Sequence, residues 1–180
     1  MRAATHDGRK VRVFWSAAIL ALLVDVLTKA LAHTLLVRHH SFALIGDLLQ
    51  LTLAYNPGAA FGLHLGPYSR WVFLLIAAVA LLFLWRMYRE ADAGDRLRAL
   101  ALGLVAGGAA GNLVNRIWSS AGVVDFLDVG LGETRWPTFN FADVAISVGA
   151  CLLAWALWGE DQRGPDEGPR LVADLPRSMG

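Results

Sequence analysis

The sequence predicts an all-α membrane protein: four transmembrane helices carrying a small extramembrane β/loop platform on the outer face. Three observations lead there. The 180 residues are 56% hydrophobic, too apolar for an ordinary soluble domain. The apolar residues gather into four runs, each near the roughly 20 residues that a helix needs to cross a bilayer. Between the first two runs lies a long stretch, residues 33–70, with strand and turn signals of its own.

The first run, about 13–32, is VFWSAAILALLVDVLTKALA. Its basic flank and an A-x-A-like end at Ala30–Ala32 resemble a signal peptide. Its length, and the charges Asp25 and Lys29 in its C-terminal part, suit a retained helix facing a bundle. The second run spans about 71–87, the third about 97–117 and the fourth about 139–158. Together they form one integral-membrane domain, residues 1–159. The Pro/Gly-rich polar stretch 160–180 is expected to be a disordered cytoplasmic tail. The third run holds Gly103, Gly107 and Gly111 at four-residue spacing, a doubled GxxxG that lets another helix approach closely. In the stretch 33–70, QLTLAY alternates as a strand does, the NPG at 56–58 signals a turn, and AAFGLHL after it fits a short helix.

Lysine and arginine set the orientation. Arg2, Arg9, Lys10, Arg12, Arg86, Arg89, Arg96, Arg98, Arg163, Arg170 and Arg177 fall on one side, eleven in all. Arg38, Arg70, Arg116 and Arg135 fall on the other. The positive-inside rule then predicts a multi-pass protein with both termini in the cytoplasm. Tryptophans at or near the segment ends mark the two interfaces.

Other classes are excluded or disfavoured. A net charge of +1 gives no reason to expect nucleic acid. The lone Cys151 has no His near it and reads as a small core residue. The five histidines lack metal-site spacing, so no metal and no cofactor are expected.

Polar residues converge at one depth. With the termini inside, Asp25 and Lys29 lie in the outer half of the first helix. Asn112, Asn115 and Arg116 end the third helix and share a face by i, i+3, i+4 spacing. Asn140 and Asp143 open the fourth. Asn56 and Asp125 come from the two outer loops, and Asp128 and Glu133 are expected to face solvent. An Asp at the centre of a membrane helix costs about 2.5–3.5 kcal/mol on insertion scales, so such residues suggest function. Each also has a structural explanation. Asp25 and Lys29 could simply neutralise each other, Arg116 could snorkel to headgroups, and Asn140 could cap a helix with Asp143 at its N3 position. Two carboxylates among amides and a cation nevertheless suit acid–base chemistry on water with one shared proton. The same residues leave open a proton or ion translocator, or a structural subunit whose polar cluster sets helix register.

The stretches DVLTK (25–29), YNPGAAFG (55–62), GGAAGNLVNR (107–116), VVDFLD (123–128) and FNFAD (139–143) resemble those of the lipoprotein signal peptidases, or signal peptidase II. They occur in that family's order and cover roughly residues 13–158. The resemblance implies a membrane aspartic endopeptidase of the bacterial cytoplasmic (inner) membrane, with its active site at the outer face. Asp125 and Asp143 would be the catalytic dyad. Asp25, Lys29, Asn56, Asn112, Arg116 and Asn140 would line or support the site, with Gly58 in the turn beside it. The implied substrates are prolipoproteins carrying a diacylglyceryl-cysteine, cut just before that cysteine. Membrane lipids are the surroundings and the cyclic peptide globomycin the expected inhibitor. The family usually has GNxxDR, whereas Asn115 stands here in place of the Asp.

Overall fold

The computed structural model describes residues 3–38, 40–58 and 65–161. Four helices carry the chain back and forth: α1 (Ala3–Leu35), α2 (Ser69–Glu90), α3 (Arg96–Trp118) and α4 (Phe141–Asp161). All four are long and apolar enough to cross a membrane. Between them lie strands β1 (Ser41–Ile45), β2 (Leu49–Asn56), β3 (Val123–Leu131) and β4 (Thr134–Arg135). These form one antiparallel sheet in the order β1-β2-β3-β4. The four helices and the platform agree with the sequence reading. The short helix expected over 59–65 lies almost wholly outside the described residues, as does the tail from 162 onward.

The limits of the helices differ from those of the apolar runs for identifiable reasons. Helix α1 begins at Ala3 rather than near Val13, because hydropathy reports what a bilayer can hold and not where helical backbone starts. Helix α4 begins at Phe141 rather than Phe139. Phe139 is held by strand β3 instead: its N–H donates to Leu127 O at 3.0 Å, and its carbonyl accepts from Phe126 N at 2.9 Å and Leu127 N at 2.8 Å.

Helix α3 is the centre of the bundle and packs on each of the other three. Glycine makes this possible. A Cβ at Gly103 would lie 2.5 Å from Phe14 O and 3.0 Å from Ala17 Cβ. One turn on, a Cβ at Gly107 would strike Ala18 O. A turn further, one at Gly111 would strike the Asp25 carboxylate. The doubled GxxxG is therefore the seam between α1 and α3, and its last step sets Asp25 against α3. On another face of α3, a Cβ at Gly108 would lie 2.5 Å from Ala142 O, so α4 is equally close. At the end away from the sheet, Phe14 stacks on Tyr88 with ring centroids 4.1 Å apart, and the Lys10 ammonium reaches Ala91 O. Cys151 is exposed on α4 rather than packed in the core. The run containing it is apolar on several sides, so hydropathy could not tell a lipid-facing position from a buried one.

The sheet sits on the other end of the bundle. Leu53, Val124 and Phe126 pack with Ala32 of α1. Strand β3 was not foreseen. Its residues VVDFLDV are β-branched, aromatic or apolar but for two aspartates, a half-buried strand pattern that the carboxylates obscured. Gly122 opens it with φ +107, and a Cβ there would collide with Asn56 and Pro57 backbone. Only glycine permits that approach, which brings the end of β2 beside the start of β3.

Candidate active site

Two elements deliver the two carboxylates, and a third the amide between them. Strand β3 carries Asp125, paired across the ladder with Ala54 of β2. Helix α4 carries Asp143 at its third position. Helix α3 carries Asn112, whose amide lies between α1 and α4.

The start of α4 is a reciprocal cap. Asn140 Oδ1 accepts from Asp143 N at 3.1 Å, and Asp143 Oδ2 accepts from Asn140 N at 3.1 Å. This is a capping box with Asn and Asp in the two roles. Asp25 of α1 completes it by accepting from Ala142 N at 2.9 Å. The capping explanation of Asn140 and Asp143 is thus correct. It leaves Asn140 Nδ2 and Asp143 Oδ1 free for the cavity.

Those remaining atoms join the carboxylates. Asn140 Nδ2 donates to Asp125 Oδ1 at 2.6 Å and lies 3.3 Å from Asn112 Oδ1. Asn112 Nδ2 donates to Asp143 Oδ1 at 2.9 Å. Behind Asn112, Lys29 Nζ donates to Asn112 Oδ1 at 2.8 Å and to Asp25 Oδ2 at 2.7 Å. An unbroken hydrogen-bonded path therefore runs from Asp25 through Lys29, Asn112 and Asn140 to both Asp143 and Asp125. Asp25, Lys29 and Asn140 are buried at 0%, 3% and 0% exposure, which makes each unpaired alternative costly.

These groups form one end of a cavity of about 770 Å³, lined by Asn56, Asn112, Arg116, Asp125, Asn140 and Asp143. Trp136, Pro137 and Thr138 form another wall, and Val144, Ile146 and Val148 continue it down α4. Arg116 donates to Asn112 O at 3.2 Å and to Gly58 O at 3.0 Å. Gly58 N in turn donates to Asn56 Oδ1 at 3.0 Å, so the NPG turn is fastened to the site on both sides. Burial pushes the Asp125 carboxyl up to about 6, with the Asp143 charge adding to it. Hydrogen bonds from Asn140 and Asn56, and the Lys29 charge, partly offset the rise. Among the described residues no cluster of His, Cys, Asp or Glu could hold a metal ion.

Every residue singled out from the sequence as catalytic or supporting comes together here. Two other expectations fail. Asn115 does not share the cavity face with Asn112 and Arg116: its Oδ1 accepts from Val124 N at 3.3 Å. Positions i+3 and i+4 diverge around a helix, and strand β3 takes the one that turns away from the cavity. Asp128 does not face solvent: it is 8% exposed and paired with Arg135 at 2.7 Å. Glu133 is exposed, as expected. Sequence reading also missed Arg70, whose Nε and Nη2 donate to Arg116 O at 2.6 Å and Ile117 O at 2.7 Å. It caps the end of α3 from the start of α2.

Comparison with known proteins decides the family. A family model described as "Signal peptidase (SPase) II" matches residues 17–159. The chain belongs to the signal peptidase II family. The lipoprotein signal peptidase of Aquifex aeolicus (strain VF5) is 40% identical over 146 residues, 78% of this chain and 83% of that protein. That of Syntrophotalea carbinolica is 39% identical over 153 residues, 84% and 94% of the two chains. A bacterial membrane enzyme solved by the in meso method at 2.3 Å resolution superposes with a TM-score of 0.76. It is 26% identical and covers 89% of this chain and 93% of its own. A second such structure, at 1.9 Å, gives 0.70 at 28% identity, covering 83% and 92%. As a member of the signal peptidase II family, the chain is a multi-pass membrane peptidase.

Proposed function

We propose that this chain is an aspartic endopeptidase that removes the signal peptide from diacylglyceryl-modified prolipoproteins, cutting just before the lipidated cysteine. The observation that supports this best is the asparagine bridge. Asn140 holds Asp125, Asn112 holds Asp143, and the two amides touch each other in a cavity that is open and apolar along α4.

In this mechanism Asp125 and Asp143 share one proton. The carboxyl pushed up to about 6, Asp125, carries it. The ionised partner takes a proton from a water as its oxygen attacks the scissile carbonyl carbon. The carboxyl proton passes to the carbonyl oxygen, giving a gem-diol. The gem-diol then collapses: the C–N bond breaks, the cysteine nitrogen takes the proton held by the dyad, one gem-diol hydroxyl returns its proton to the other carboxylate, and a carboxyl group is left on the signal peptide while the dyad again holds one proton. Lys29, buried behind Asn112 and paired with Asp25, sets a cation near the single negative charge of the dyad. Arg116 and Asn56, on the cavity wall, present donors to substrate carbonyls.

Both termini lie in the cytoplasm and the sheet lies outside in this reading. The eleven-to-four bias of Lys and Arg supports it. A lipid-anchored substrate keeps its acyl chains in the bilayer, so a scissile bond one residue from the anchor must be met at the interface. A cavity at the helix–sheet junction meets it there, and the membrane is the bacterial inner membrane. Globomycin, a cyclic peptide, would occupy the same cavity.

The test is cleavage of a diacylglyceryl-modified prolipoprotein peptide by the purified protein, beside Asp125→Asn and Asp143→Asn. Cleavage before the cysteine, lost in both variants, is expected. Retained cleavage in either variant would remove that aspartate from the dyad.

A further inference from the structure

Asp128 is a buried acid that the proposed mechanism does not use. It lies three residues after Asp125 on β3, beyond an irregular step at which Phe126 N and Leu127 N both donate to Phe139 O, and it pairs with Gln50 of β2 where Asp125 pairs with Ala54. Arg135 of β4 encloses it: Nε donates to Asp128 Oδ1 at 2.7 Å and Nη2 to Asp128 O at 2.9 Å. The remaining arm, Nη1, donates to Asp47 O in the turn between β1 and β2 at 2.7 Å. Thr52 of β2 donates to Asp128 Oδ2 at 2.9 Å and meets Ser41 of β1 at 2.8 Å. One ion pair thus ties all four strands together.

The next residues, Trp136, Pro137 and Thr138, form a cavity wall. We propose that Arg135, held by Asp128, is a positioning residue that sets this wall for the substrate and is mechanically separate from the catalytic pair. The inference rests on the peptidase reading.

The separation comes from Phe139. Its three backbone hydrogen bonds to Phe126 and Leu127 clamp the chain between the wall and Asn140. Residues 132–138 can loosen without moving Asn140 or Asp143. Asp125 stays in the β2–β3 ladder, opposite Ala54. Before the clamp, Trp136 N donates to Val129 O at 2.8 Å and the short strand β4 pairs with Gly130 and Leu131, and the side chain of Arg135 ties this segment on to Asp128 and to the β1–β2 turn. A wall populated in its binding form only a tenth of the time weakens apparent substrate binding by about tenfold. Chemistry once bound is unchanged.

The test uses the full chain in detergent with a diacylglyceryl-modified lipopeptide. Arg135→Ala is expected to raise KM about tenfold, keep kcat within about twofold, and leave the pH dependence of kcat/KM in place. Arg135→Lys recovers only part, because an ammonium cannot reach three acceptors in one plane. Asp128→Asn keeps the acceptor oxygen but removes the charge, so it gives a smaller rise in KM and stands in should Arg135→Ala not fold. Amide exchange supplies a readout free of activity: the Trp136 N–H should exchange faster in Arg135→Ala while the Phe139 N–H stays protected. A fall in kcat at constant KM, a shifted pH profile, unchanged kinetics or unchanged exchange at Trp136 would each overturn the proposal. If the wild type leaves the lipopeptide uncut, the peptidase reading fails, and the exchange data still judge whether Arg135 holds the wall.

Discussion

Replacing Asp125 by Asn should abolish cleavage and yet stabilise the fold at neutral pH. Asp125 is 4% exposed, and burial pushes its carboxyl from 3.8 up to about 6. A raised folded value means that the folded chain keeps a proton the unfolded chain has already released. Stability from this group is full below about pH 4 and is lost as pH climbs through about 6. Two pK units at 1.36 kcal/mol each amount to about 3 kcal/mol. The amide never ionises and avoids that loss. Its oxygen can still accept from Asn140 Nδ2, and its nitrogen stands where the carboxyl proton would be. Unfolding of both proteins should therefore be followed in one detergent at about pH 4 and about pH 7.5. Asp125→Asn should exceed the wild type by up to about 3 kcal/mol at the higher pH and match it at the lower. Equal stability at both, or a less stable variant at neutral pH, would refute the claim that Asp125 is strained by ionisation. The same carboxyl should give kcat/KM of the wild type a descending limb starting near 6 in the free enzyme.

Other outcomes follow from the same geometry. Lys29→Met leaves Asp25 buried without its counter-charge and should cost about 3–5 kcal/mol of stability; the double variant with Asp25→Asn should recover part of it, as double-mutant unfolding would show. Gly111→Ala drives a Cβ into an Asp25 carboxylate that Lys29 and Ala142 hold in place, so stability should fall by about 1–3 kcal/mol and cleavage with it. Asn115→Asp keeps the acceptor for Val124 N and lies off the cavity face, so cleavage should stay within about twofold of wild type, a change on the scale of one strengthened surface-type hydrogen bond. Chelators should leave cleavage unchanged, because the mechanism draws only on carboxylates, amides and water; loss in EDTA restored by zinc would contradict it.

Much of the site was legible because its residue types are out of place. A carboxylate or lysine in a run that must lie in lipid stands out by cost alone, which singles out Asp25, Lys29 and Asp143. Helical spacing puts Asn112 and Arg116 on one face, and the N3 position of Asp143 after Asn140 reads as a cap. Spacing misled where two neighbours differ by a small rotation. Asn115 looked equivalent to Arg116 and turned to the strand instead. Composition misled where a charge implied solvent: Asp128 is buried because a guanidinium seven residues on folds back across the ladder.

By itself, then, the amino-acid sequence determined the four spans, a glycine stripe on the third that admits another helix, the end of the bundle at which polar groups gather, and the family. All of these follow from local hydropathy, short periodicities and residue type. Only the tertiary structure decided that residues 123–131 are a strand, that Asp128 on it is buried against Arg135, and which donor serves which carboxylate. The deciding contacts join positions far apart in the chain. Lys29 meets Asn112 across 83 residues, and Asp25 meets Ala142 across 117. No local pattern encodes such pairings. They exist because close packing on the glycines of α3 brings α1 and α4 to the same place, where a buried polar group must find a partner.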